Sequence, residues 1–126
     1  LVALPVSLCE GQPDVREHLA ARYEHILVDE YQDVNRSSVR LLKAIAGSGR
    51  DLWAVGDTKQ SIYRFRGASA FNMARFDRED FPGAKRGRLT VNYRSVEGVV
   101  DTYIAFAAGI PSVRGTEIGL RADRGA

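Results

Sequence analysis

The chain has 126 residues, enough for one compact domain with a core of modest size. Its 44% hydrophobic and 27% charged residues suit a soluble globular chain, and a formal net charge of +2 supplies no strong field towards nucleic acid or membrane. The lone cysteine, Cys9, excludes an intrachain disulfide and a cysteine-built zinc cluster and fits a reducing, cytoplasmic setting, while no apolar run approaches the roughly 20 residues that span a bilayer.

The apolar start, Leu1 to Cys9, lacks a basic leader and is not read as a signal peptide; a chain opening inside such a run without Met reads as a cut fragment. Pro13 suits the first turn of a helix in which Val15, Leu19 and Tyr23 recur at four-residue spacing. Ile26-Leu27-Val28 is apolar on both faces, as a strand buried in a parallel sheet would be. Asn35 is a candidate N-cap for a helix that buries Val39, Leu42, Ile45 and Ala46 and closes at Gly47. Leu52-Trp53-Ala54-Val55 reads as a second buried strand, stopped by Gly56-Asp57, with a loop through Gly67. Ser69 is placed to cap a short helix carrying Phe71, Ala74 and Arg75, and Pro82-Gly83 marks a turn. Leu89 to Val91 reads as a third strand. Ser95 then caps a helix whose Val96, Val99, Val100, Tyr103, Ile104 and Ala107 share one stripe, ended by Gly109 and Pro111. Residues 112–126 hold three Gly, three Arg and little periodicity, and read as a linker towards a further segment. The alternation of short apolar runs with helical periods predicts an α/β layered domain over 1–111, with 112–126 as its tail.

Three segments carry chemistry, each at the end of an expected strand, where open α/β sheets place their functional crevice. In the first, Asp29-Glu30-Tyr31-Gln32-Asp33, an aspartate suits magnesium and a neighbouring glutamate can polarise water; an Asp-Glu pair after a strand more often just opens a solvated loop, a reading that three acids and a glutamine inside five residues weaken. The second runs from Val55 to Gly67. Gln60 offers both donors and an acceptor to a terminal phosphate. Tyr63-Arg64-Phe65-Arg66 alternates rings with cations, which suits stacking on single-stranded bases and pairing with phosphates, or else places two rings in a core and two arginines on the surface. In the third, Leu89 to Ser95, Tyr93 can stack on a base and Arg94 can clamp a phosphate, or they are a packed ring and a surface cation.

Taken together, in order and spacing, the three segments resemble the UvrD/Rep helicases of superfamily 1. Ile26–Asn35 is similar to that family's motif II, Ala54–Ala68 to motif III and Leu89–Ser95 to motif IV, and the resemblance covers roughly residues 14–110. It implies a partial RecA-like (P-loop NTPase) three-layer fold, a short parallel sheet flanked by helices, with ATP and Mg2+ as ligands. Asp29 would hold the metal, Glu30 would activate water, and Gln60 would contact the γ-phosphate. Tyr93 would stack on adenine and Arg94 would meet the γ-phosphate. Tyr63, Arg64, Phe65 and Arg66 would belong to the DNA track, with weaker stacking where Phe65 replaces the Trp of many members. The resemblance further implies an ATP-dependent 3′ to 5′ translocase acting on single-stranded and duplex DNA in repair or recombination, alongside remaining helicase domains. Thr58-Lys59 before Gln60 also resembles the RecB/AddA-type helicase-nuclease subunits, which leaves the subfamily open.

No Gly-x-x-x-x-Gly-Lys-Ser/Thr loop occurs in these residues, so the triphosphate lacks its main cradle here and the chain alone is expected to hydrolyse ATP negligibly. The strand that feeds such a loop is missing with it, which exposes sheet edges and predicts self-association. Two competing readings are a non-catalytic DNA- or protein-binding module and a magnesium-dependent phosphotransferase built on Asp29, Glu30 and Asp33. The last leaves the second and third segments unexplained.

Overall fold

The Leu1–Cys9 run folds as a helix, α1 (Ala3–Gly11), in the computed structural model, which describes residues 2–61, 71–110 and 119–125. It buries Val6 and Cys9 and leaves Leu4 and Leu8 in solvent. Pro13 opens α2 (Pro13–Arg22) at its first position, where its missing N–H has no intrahelical partner to lose. Val15 and Leu19 are half-buried, and Tyr23 lies just past the helix, largely exposed.

Strand β1 (Ile26–Val28) pairs in parallel with β2 (Leu52–Ala54), in the register Ile26 to Leu52, Leu27 to Trp53 and Val28 to Ala54. Between them runs α3 (Arg36–Ala46). The Asn35 side chain accepts the Ser38 N–H at 2.9 Å and so satisfies one of the orphan donors of the first turn. Gly47 ends the helix at φ +56°, a conformation in which a side chain would be strained. Val39 is fully buried and Ala44 nearly so, while Leu42, Ile45 and Ala46 are half-buried. A fully buried valine is worth about 1.5–3 kcal/mol. Helix α3 packs against α1 and α2 and is clamped to α1 by a forked Arg40–Glu10 ion pair, whose hydrogen bonds hold the Glu10 carboxyl below its ordinary range.

The expectation of strands buried on both faces is corrected here. Ile26, Val28, Leu52 and Ala54 are half-buried, whereas the paired Leu27 and Trp53 are 78% and 71% exposed. The side-chain alternation of a strand puts one face against the helices and leaves the other bare.

Helix α4 (Phe71–Arg75) runs directly into a π-helical turn, Phe76–Asp80. The expected cap at Ser69 falls outside the described residues. Phe76 joins Tyr31 edge-to-face, ring centroids 5.1 Å apart, and tilts against Phe81 at 5.0 Å. Arg36 donates two bonds, at 2.8 and 2.9 Å, to the buried Asp80 carboxylate and so ties α3 to the π turn. The Pro82-Gly83 turn forms as expected, with Gly83 at φ +88°.

These elements make one unit, Leu1–Ala84; Lys85–Ala126 make a second. In the second unit the third strand lies later than expected. Strand β3 covers Val91–Val96, Leu89 is solvent-exposed, and β3 pairs in parallel with β4 (Arg121–Arg124), inside the stretch expected as a linker. Helix α5 (Glu97–Ala108) follows directly and ends at Gly109, burying Val100 and Ala107 with Tyr103 and Ile104 half-buried; Val99 faces solvent. The described strands therefore form two two-stranded parallel sheets, one in each unit, instead of the single sheet expected to carry all three segments. No helix among the described residues is long and apolar enough to cross a membrane.

Candidate functional site

The hydrogen-bond ladder of β1 and β2 continues past the strands. Val55 N–H donates to Val28 O, and Tyr31 N–H donates back to Val55 O, each at 2.9 Å. The two strand-end loops are thereby stitched together at the carboxyl end of the sheet, where Asp29 and Glu30 emerge exposed. Asp29 Oδ1 accepts the Glu30 N–H at 2.8 Å. Glu30 is left-handed, φ +50° and ψ +42°, the one non-glycine residue with positive φ among those described. Such backbone costs roughly 1 kcal/mol for a side chain of this size, and strain of this kind gathers where geometry serves a ligand.

Gln32, 1% exposed, sits between the loops. Its Nε2 donates to Glu30 Oε2 at 2.6 Å, and its Oε1 accepts the Asp57 N–H at 2.9 Å. A carboxylate only accepts and a backbone N–H only donates, so this pair of partners fixes which way the carboxamide points. Ser61 Oγ donates to Gln32 O at 3.2 Å and closes the loop from the far side. Gly56 is what lets the loops approach: a Cβ there would stand 2.6 Å from Gln32 Oε1 and 3.1 Å from Gln32 N.

Asp57 then starts the short turn Thr58–Gln60, its Oδ1 accepting the Lys59 N–H at 2.9 Å. Its Oδ2 accepts from Gln60 Nε2, also at 2.9 Å. Gln60 is exposed, so its amide is presented to solvent on the same stitched pair of loops as Glu30. Tyr63, Arg64, Phe65 and Arg66 lie outside the described residues.

Four buried side-chain atoms, Asp33 Oδ1, Thr58 Oγ1, Tyr31 Oη and Asn72 Oδ1, lack a hydrogen-bond partner among the described residues, although Asn72 Nδ2 donates to Val34 O. Burial, aided by the Asp80 carboxylate and opposed by Arg36, pushes the Tyr31 hydroxyl up to about 12. A shallow cleft of about 110 Å³ opens instead at the amino ends of β1 and β2, lined in part by Ile26, Asp51 and Leu52, and holds none of the expected residues.

Tyr93 and Arg94 belong to the second unit. The β3–β4 register shifts between Asn92 and Val96, so Tyr93, Arg94 and Ser95 bulge out of the ladder. Asn92 Oδ1 holds the bulge by accepting the Arg94 and Ser95 N–H groups at 2.9 and 2.8 Å. Tyr93 and Arg94 are both exposed as a result. Ser95 does not cap α5 as expected: β3 runs on through Val96, which occupies that position with no side-chain bond.

Asp29, Glu30 and Gln60 thus share one unit and one network, while Tyr93 and Arg94 are set by a separate device in the other. Residues to which the sequence reading gave no role in the site are Gln32, Gly56, Asp57 and Asn92. Asn92 carried a readable signal, an Asx residue shortly before a helix start. The role of Gln32 depends on a contact 25 residues away.

The UvrD/REP helicase N-terminal domain family matches residues 1–82. The chain is similar to the ATP-dependent DNA helicase PcrA of Staphylococcus epidermidis, 39% identical over 101 residues that cover 80% of this chain and 14% of the relative. It is similar to the same-named protein of Bacillus subtilis, 39% identical over 100 residues, 79% of this chain and 13% of that one. It is also similar to that of Leuconostoc citreum, 37% identical over 101 residues, 80% and 13%. The chain therefore spans about one-seventh of the length of these relatives.

Proposed function

This chain belongs to the UvrD/REP helicase family, and from that membership we propose that it is part of the first, RecA-like motor domain of an ATP-dependent DNA helicase. In this reading the parent couples ATP hydrolysis to 3′ to 5′ movement on single-stranded DNA in repair or recombination. The observation that carries the proposal is the stitched pair of loops, with Glu30 and Gln60 exposed at the carboxyl ends of adjacent parallel strands and bonded to one network. In a three-layer arrangement the bare Leu27–Trp53 face would receive a further layer of helices.

Asp29 suits Mg2+: it is an exposed hard oxygen donor whose Oδ2 has no partner among the described residues. When bound, the ion supplies neutralisation of phosphate charge. Glu30 orients the attacking water and accepts its proton, and Gln60 Nε2 donates to the terminal phosphate. Arg94 adds charge stabilisation and Tyr93 stacks on the adenine, both held outward by the β3 bulge. Tyr63, Arg64, Phe65 and Arg66 form the DNA track. In the full-length parent, Glu30→Gln should lower DNA-stimulated phosphate release by at least about 100-fold. Turnover at the parental level would remove Glu30 from this role.

A second reading has one observation in its favour, the absence of a phosphate-loop pattern from these 126 residues. It makes the isolated chain a DNA-binding module without turnover. The full-length parent separates the two: DNA-stimulated phosphate release supports the motor, whereas anisotropy that shows single-strand binding without any release supports the module.

A further inference from the structure

Both residues proposed to face the terminal phosphate, Glu30 and Gln60, end in solvent, and both are tied to the same buried side chain. From Glu30 Oε2 the connection runs to Gln32 Nε2 at 2.6 Å, through that carboxamide to the Asp57 N–H at 2.9 Å, and from Asp57 Oδ2 to Gln60 Nε2 at 2.9 Å. Gln32 is shielded from water, so solvent cannot compete at the middle of the chain as it does at the ends. The carboxamide also has one seat only. Gly56 presses against it closely enough that even a Cβ would collide, and Ser61 Oγ fixes its backbone carbonyl.

We infer that Gln32 is a positioning residue, a buried relay that makes the placement of the Glu30 carboxylate depend on what Gln60 is bonded to. The inference rests on the roles proposed above for Glu30 and Gln60. A ligand oxygen that draws Gln60 Nε2 away removes one of the bonds on the Asp57 carboxylate, whose Oδ1 stays on the Lys59 N–H, and the N–H of that same residue is the anchor of Gln32. A shift of Asp57 therefore moves the carboxamide that aims Glu30. The relay needs no large motion, because displacement of a reacting group by about 1 Å is enough to change a rate by about 100-fold.

The test uses the full-length parent, with Gln32→Met to remove both side-chain bonds at nearly constant volume. DNA-stimulated kcat should fall roughly 10- to 100-fold while KM for ATP stays within about threefold, the split expected of lost positioning and not of lost binding. Combined with Gln60→Ala, the double variant should lose little more than the worse single one, since both cut the same chain. Without nucleotide, the Asp57 amide should lose hydrogen-exchange protection in Gln32→Met. A kcat within about twofold of the parent, losses that multiply in the double variant, or unchanged Asp57 protection would each overturn the relay. Should Gln32→Met not fold, Gln32→Leu removes the same two bonds with another apolar side chain. It should lower kcat and Asp57 protection alike, and parental kcat there is equally fatal. Glu30→Gln run in parallel separates the two levels. If it alone is inactive, the relay fails; if it too turns over normally, the underlying role of Glu30 fails.

Discussion

Alanine at Gly56 should unpick the seam between the two loops. The new methyl would lie 2.6 Å from Gln32 Oε1, 3.1 Å from Gln32 N and 3.1 Å from Met73 Sδ. The thioether can swing aside, but the Gln32 backbone carbonyl is held by Ser61 Oγ and its carboxamide by two bonds. Forcing extra volume into such a site costs about 1–3 kcal/mol. Displacing Oε1 from the Asp57 N–H adds about 1 kcal/mol, whereas water can replace the bond at the exposed Glu30 end. The expected loss is therefore about 2–4 kcal/mol, read from the urea midpoint of the chain at unchanged slope. Gly98 is the internal comparison. It lies in the first turn of α5, and beyond its own helix backbone nothing stands within 4 Å of where a methyl would sit. Gly98→Ala should therefore hold or gain up to about 1 kcal/mol. A Gly56→Ala midpoint within about 0.5 kcal/mol of the parent would refute the claim that the loops touch this closely.

Arg36→Ala should cost about 2–4 kcal/mol, visible as a lowered melting temperature, because it strands the buried Asp80 carboxylate; Arg36→Lys should recover only part, lacking the two-pronged contact. Tyr31 supplies a pH test. Its hydroxyl ionises near 10 in an unfolded chain and about 12 in the fold. Its contribution is thus complete below about pH 10 and is lost towards pH 12, as the unfolded state alone gives up the proton, a fall of up to about 3 kcal/mol. Tyr31→Phe should flatten that limb, and parallel stability curves for the two proteins would reject the assignment. The chain should also self-associate through its two-stranded sheets, so light scattering that shows a strict monomer at high concentration would reject that expectation.

What could be read beforehand was local. Asn35 and Gly47 bracket α3 because a cap and a left-handed stop act within a few residues, and Pro13 declares the start of α2 for the same reason. Strands β1 and β2 were visible as apolar runs, but not that one face of each would be bare, since an apolar residue does not announce what covers it. Strand β4, Arg-Ala-Asp-Arg, carries one apolar side chain and exists through main-chain pairing with β3, as in the Arg121 N–H to Thr90 O bond of 2.8 Å. That distant pairing also moves β3 along the chain and produces its bulge. Of the site, Asp29, Glu30 and Gln60 could be named from their position after strands. The seat between them could not, because Gln32 acquires its partners only when β1 and β2 lie side by side.

Trp53 is the single tryptophan of the chain, and it stands on the uncovered side of β2, opposite Leu27. The protein therefore carries its own optical probe. Its emission should be red-shifted and open to iodide quenching, and any helix, strand or second copy that settles on the sheet should shift the emission to the blue and shield it. No dye or label is needed to watch that face close.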